Sequence, residues 1–125
     1  MNGNFRFLSL ETKNFFDFCK KEKHIILLSD WFFKEVQKII FLNRKDVLEE
    51  FKRMKVNVFV IEKKPNKKLI YKIIKEFNLH YSDSIHVAVA YENKSDFIVT
   101  WNKKDFEKAN EFVECIYPKE FLYIL

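Results

Sequence analysis

Tyr81-Ser82-Asp83-Ser84-Ile85-His86-Val87-Ala88-Val89-Ala90, then a polar turn, then Phe97-Ile98-Val99-Thr100-Trp101-Asn102-Lys103-Lys104-Asp105-Phe106, is the stretch that decides the fold. The first segment reads as a helix. Ile85 and Val89 recur at helical spacing beside the small Ala88 and Ala90, and Ser82 or Asp83 serves as N-cap. Asn93-Lys94-Ser95-Asp96 supplies turn formers. Phe97 to Thr100 is a short apolar run suited to a strand buried on both faces. The order is an acid at a helix start, a strand, and a loop with a second acid. In open α/β sheets such ends converge on the binding crevice.

Working outward, the pattern of helix and strand continues. Thr12 to Lys21 reads as a helix with Phe15, Phe16 and Cys19 on one face. His24 to Leu28 fits a strand. Ser29-Asp30 then caps a helix whose apolar stripe is Phe32, Phe33, Val36, Ile39 and Ile40. Asn43 caps a third helix with Val47, Leu48, Phe51 and Met54 inward, and Val56 to Ile61 is the second strand. Pro65 opens a fourth helix lined by Leu69, Ile70, Ile73, Ile74 and Phe77, and Asn78 closes it. A short helix near Phe106 to Asn110, a strand at Val113 to Tyr117 and a turn begun by Pro118 finish the chain. Alternating strands and helices imply a parallel sheet with helices on both faces. The 125 residues make one domain, spanning residues 1–125.

Composition narrows the class. Hydrophobic residues are 48% and aromatics 18%, too many for a disordered chain. No apolar run approaches the roughly 20 residues of a membrane span, and the start carries no signal-peptide pattern, so a cytoplasmic protein away from membranes is expected. Cys19 and Cys115 lack metal-ligand spacing and read as two buried free thiols rather than a disulfide. The net charge of +5 favours a polyanionic partner. Most lysine clusters read equally well as solvated faces. Lys103 and Lys104 differ because they flank the acids, where a cation would steer phosphate.

Several side chains carry both a plain and a chemical reading. Glu35 lies three residues after Phe32 and four before Ile39, at the edge of a buried helix face. A carboxylate there is costly unless it snorkels, pairs or binds metal. Asp83 suits a helix N-terminus, where the dipole favours an anion, and it shares a face with His86, Val87 and Ala90. Asp105 is placed to cap the short helix, and Thr100 to end a strand. Asp30 is most simply a cap. His86 fits a packed, hydrogen-bonded histidine better than a catalytic one.

Taken together, Ser82-Asp83-Ser84-Ile85-His86 with Ala88 and Ala90, then Ile98-Val99-Thr100-x-Asn102-x-x-Asp105-Phe106, then Tyr117-Pro118-Lys119-Glu120-Phe121-Leu122, resemble the C-terminal half of a PIN domain, the family that includes the VapC-type toxins. The resemblance runs from about Glu11 to Leu122. It implies a three-layer α/β/α domain with a mainly parallel sheet, and an endoribonuclease that gathers acids around Mg²⁺ or Mn²⁺. By resemblance Glu35, in Ser29-x-x-x-x-x-Glu35-Val36, is the second acid of the family pattern and Asp83 the third. Asp105 belongs to the acidic loop, where Asn102 puts an amide at a position that often bears another acid. These four would form the metal set, with Glu35, Asp83 and Asp105 catalytic. Thr100, Lys103 and Lys104 would contact nucleic acid. The implied partners are RNA, an antitoxin protein and a second copy in a homodimer.

The front of the chain departs from the pattern. A PIN domain opens on a hydrophobic strand ending in a metal-binding Asp. Here Phe5-Arg6-Phe7-Leu8-Ser9-Leu10 is the only comparable run, and it offers Ser9. Glu11 is the nearest acid and suits a first-turn helix position equally well. Either the true start lies upstream or the first strand and its acid are lost. Reduced activity is therefore expected. The alternative is a catalytically inactive PIN fold that binds RNA or a partner protein.

Overall fold

The computed structural model describes residues 10–100 and 103–121, with the backbone alone for residues 10–12, 103, 119 and 121. The order is α1 (Leu10–Lys21), β1 (Ile25–Ser29), α2 (Asp30–Ile40), α3 (Arg44–Arg53), β2 (Asn57–Ile61), α4 (Lys67–Phe77) and α5 (Tyr81–Glu92). Then follow β3 (Phe97–Val99), α6 (Lys103–Phe106), a 3₁₀ turn (Glu107–Ala109), β4 (Glu114–Ile116) and α7 (Pro118–Phe121). The Phe5–Leu10 strand expectation lies outside the described residues, apart from Leu10, which begins α1.

Local chemistry sets the helix ends. Ser29 ends β1 and caps α2, its Oγ accepting the Phe32 N–H at 3.1 Å. Asp30 is thus a first-turn residue and not the cap. It pairs instead with Lys34 at 3.0 Å and Arg44 at 2.9 Å. Asn43 caps α3 by accepting the Asp46 N–H at 2.9 Å. Asn78 closes α4 in the left-handed conformation, φ 54°.

Three expected helix boundaries are corrected. Pro65 does not open α4. Asn66 does, its side chain accepting from the N–H groups of Lys68 and Leu69, a cap that proline cannot make. Neither Ser82 nor Asp83 caps α5. His80 holds that position without a side-chain cap bond, and the Ser82 hydroxyl is engaged by α2 instead. Pro118 begins a short helix rather than a turn. Proline is tolerated at a first helical position, and Glu120 returns to accept the Tyr117 N–H at 3.0 Å.

The strands are parallel but do not form one sheet. β1 pairs with β2, Leu28 opposite Val60, and β3 pairs with β4, Ile98 opposite Cys115. Among the described residues these are two separate two-stranded sheets, which corrects the expectation of a single one.

Period-2 alternation still divides all four strands between the same two clusters. Ile26 and Leu28, Val58 and Val60, Phe97 and Val99, and Ile116 pack with Phe15, Cys19, Phe33, Val36, Val47 and Phe51 of α1, α2 and α3. Leu27, Ile61, Ile98 and Cys115 pack with Ile70 and Ile73 of α4, Ile85, Ala88 and Val89 of α5, and Phe106 of α6. Both cysteines are buried free thiols, and burial pushes Cys19 up to about 11.

The aromatics of α1 and α2 are largely taken up by this packing. Phe15 and Phe33 are buried, while Phe16, Phe18, Trp31 and Phe32 are half-buried. Their number therefore gives no ground for a dimer. The exposed aromatics among the described residues lie elsewhere, at Phe41, Phe59, Tyr71, Tyr81, Tyr91 and Tyr117. Among the described residues no helix is long and apolar enough to cross a membrane.

Candidate functional site

The site forms where the first turns of α2 and α5 face each other. On α2, Trp31 and Glu35 are four residues apart and share a face. On α5, Ser82 and His86 have the same spacing. The two pairs interlock. Trp31 Nε1 donates to Ser82 Oγ at 3.0 Å, and the Ser82 hydroxyl donates to Glu35 Oε2 at 3.2 Å. His86 Nε2 stands 2.6 Å from Glu35 Oε1. With Glu35 ionised, that nitrogen carries the proton. The Tyr81 ring stacks edge-on against Trp31, with centroids 6.0 Å apart.

Glu35 is half-buried, and burial works to raise its pKa. The hydrogen bond and charge of His86, the Ser82 hydroxyl and Lys38 outweigh that, and the net shift is downward. Hydrogen bonds to the charged form favour it.

Asp83 lies between the two α5 residues that hold Glu35. Its carboxyl is raised above the ordinary value. Burial is the main cause, and the charges of Asp105 and Glu35 push the same way against the opposing charges of His86 and His80. The carboxylates of Glu35 on α2 and Asp105 on α6 thus add, after burial, to what holds Asp83 of α5 up. Their mutual repulsion is the kind of electrostatic cost a bound cation relieves.

The remaining expected residues are placed as follows. Thr100 is half-buried just past β3, and its N–H donates to Ile116 O at 2.9 Å. Lys104 is exposed and Asp105 half-buried, both in α6. Asn102 lies outside the described residues, as does the side chain of Lys103. Among the described residues, no group of three or more His, Cys, Asp or Glu side chains is gathered closely enough to hold a metal ion by itself.

Trp31 and Ser82 were not among the expected site residues, and His86 was expected only to pack. The available signal was the paired i, i+4 spacing on both helices. It shows which residues share a face but not that the two faces meet.

No family model, curated protein or solved structure matches the chain.

Proposed function

We propose that this chain is a PIN-like, metal-dependent endoribonuclease of reduced activity, related in design to the VapC-type toxins. The observation that carries the reading is the meeting of α2 and α5. Glu35 is bonded to Ser82 and His86, the residues on either side of Asp83 in sequence. A half-buried carboxylate held by two side chains of a second helix, which itself carries a half-buried acid, suits a functional site.

A three-layer α/β/α arrangement belongs to this reading. It is supported by four strands that send alternate side chains into the same two helix-covered clusters.

The donor set fits a hydrated ion better than a caged one. Mg²⁺ keeps several waters and is commonly bound through one or two carboxylates plus substrate phosphates. Asp83 and Asp105 are the nearest to that role, with Glu35 beside them and Asn102 as a neutral oxygen donor. A bound Mg²⁺ or Mn²⁺ would activate water and stabilise the leaving oxygen. The chain's own residues would hold and orient it, with Lys103, Lys104 and Thr100 toward the RNA backbone. An antitoxin protein and a second copy of the chain are the partners this reading entails.

The absence of a three-donor group among the described residues favours a second reading, an inactive PIN-like fold that binds RNA or protein. Incubating the pure chain with RNA and Mn²⁺ separates the two. Slow cleavage that disappears in Asp83→Asn supports the nuclease. Binding without cleavage supports the second reading, and cleavage unaffected by Asp83→Asn overturns the site.

A further inference from the structure

The two sides of α4 have opposite chemistry. Ile70 and Ile73 on its apolar side are buried in the core. Its outer side carries Lys67, Lys68, Tyr71, Lys72 and Lys75, all exposed. Lys63 and Lys64, exposed as well, lead into it from β2. We propose that this basic stripe, with Tyr71 at its middle, is a binding surface for single-stranded nucleic acid. Lysines and an aromatic ring bind such a strand without metal, so the surface stands apart from the cation reading above.

The charges do not serve the helix that carries them. Lys68 and Lys72 are four residues apart, and Lys72 and Lys75 three, spacings at which like charges repel across a helix surface. Glu76, 3.9 Å from Lys72, offsets part of that. The acids at the start of the stripe are engaged elsewhere. Glu62 pairs with Arg44 at 2.7 Å, and Glu92 accepts the Asn66 N–H at 3.1 Å. Among the described residues, Lys63, Lys64, Lys67, Lys68 and Lys75 pair with no acid.

Tyr71 sets this cluster apart from the other exposed lysines. It follows Lys67 by four residues and precedes Lys75 by four, so the three lie in one line along the helix. At 1.5 Å per residue that line is about 12 Å long. Tyr81 and Tyr91 stack on Trp31 and Phe112, whereas Tyr71, 62% exposed, meets no ring among the described residues. A base can stack on such a ring while lysines on either side take the flanking phosphates, the arrangement that holds single strands without reading their sequence. A duplex keeps its bases stacked on one another. A bilayer needs an apolar helix face, and that of α4 is already buried.

The test is fluorescence anisotropy of a labelled oligouridylate with the full chain, in EDTA and across a salt series, with thermal melts of every variant. Lys67→Ala/Lys68→Ala/Lys75→Ala should reduce the slope of log K against log salt by about 2, each phosphate-binding lysine contributing about 0.7. Tyr71→Ala should weaken binding about fivefold or more at an unchanged slope, and Tyr71→Phe should keep most of the wild-type affinity. These side chains are exposed, so the melting temperatures should hold. Lys20→Ala/Lys21→Ala/Lys52→Ala removes the same charge elsewhere and should leave the slope near that of wild type. Equal losses in the two triple variants would mean that net charge alone holds the strand, and would overturn the stripe. So would wild-type affinity in both Tyr71→Ala and the α4 triple variant, or no binding by wild type at low salt. Tighter binding to duplex RNA or to phosphatidylserine vesicles than to oligouridylate overturns the choice of partner. With EDTA present throughout, none of these outcomes depends on the metal reading, which stands or falls on cleavage by wild type and Asp83→Asn.

Discussion

His86 Nε2 on α5 meets Glu35 Oε1 on α2 at 2.6 Å, across 51 residues of chain. With the Ser82 bond to the other oxygen, it joins two helices that β2, α3 and α4 separate in sequence. The pairing is costly in desolvation, because the His86 side chain is 24% exposed and that of Glu35 34%. A charge-assisted hydrogen bond offsets that cost, and removing one partner leaves the other desolvated and unpaired.

The pH dependence of Glu35 follows from its lowered pKa. A carboxyl depressed below its usual value of 4.5 contributes stability that is complete above that value. The contribution is lost as pH falls through the folded-state value. Glu35→Gln should therefore destabilise the chain at pH 7 by about 1.5–3 kcal/mol, the usual worth of a hydrogen bond to a charged group. The difference from wild type should shrink toward pH 3. Thermal denaturation of both proteins at the two pH values checks this, and a constant difference would show that Glu35 packs without its charge mattering.

Asp83 has the opposite sign. Its carboxyl is raised above 3.8, so ionisation costs stability once the pH passes that value, and the cost is complete above the folded-state pKa. Asp83→Asn should raise the melting temperature at pH 7, with the gain fading as pH falls from the folded-state pKa toward 3.8 and gone below it. The same variant should lose Mn²⁺ binding. Stability gained with function lost is the signature of a site that stores repulsion for a ligand. A lower melting temperature at pH 7 would mean that the favourable helix-start position of Asp83 outweighs its burial.

Much of the fold was legible because its signals are local. Ser29, Asn43 and Asn78 stand at helix ends for reasons of hydrogen bonding within a few residues, and the sequence pattern located them. Ser82 misled because its deciding partner was absent from the local pattern, and Pro65 because its neighbour is the better cap. Asn66 outcompetes the proline at one helix start, and Glu35 on another helix captures the Ser82 hydroxyl. The break between the β1–β2 and β3–β4 pairs was illegible for the same reason. An apolar strand run records burial on two faces and says nothing of which edge is paired. Glu35 and Asp83 could be singled out as acids near buried faces, but the Trp31–Ser82–Glu35–His86 chain depends on how two helices cross.

Phe41 offers a test of backbone strain away from the site. It closes α2 with φ 60° and is 85% exposed, so its side chain contributes little packing. A left-handed conformation costs a non-glycine residue roughly 1–2 kcal/mol, and glycine adopts it freely. Glycine's greater unfolded-state entropy gives part of that back. Phe41→Gly should leave stability unchanged or raise it by up to about 1 kcal/mol, measured by urea denaturation. A clear loss would show that the ring is covered in solution, for instance by a second copy of the chain.

The proposed reading also predicts that RNA binding and RNA cleavage come apart. By the family resemblance Asn102 brings an amide oxygen but no charge at a position where a further acid would strengthen the site, so metal affinity and cleavage should be low. Lysines bind phosphates without needing the metal. Binding of single-stranded RNA should persist in Asp83→Asn and weaken steeply with salt. Removing one phosphate-binding lysine should reduce the slope of log K against log salt by about 0.7. Lys104→Ala, which removes an exposed cation from the helix that carries Asp105, should show about that reduction. Rapid Mg²⁺-dependent cleavage abolished by Asp83→Asn would mean that Glu35, Asp83 and Asp105 suffice as a metal site. Failure to bind at low salt would remove the nucleic-acid reading altogether, because a net charge of +5 would then serve only solubility.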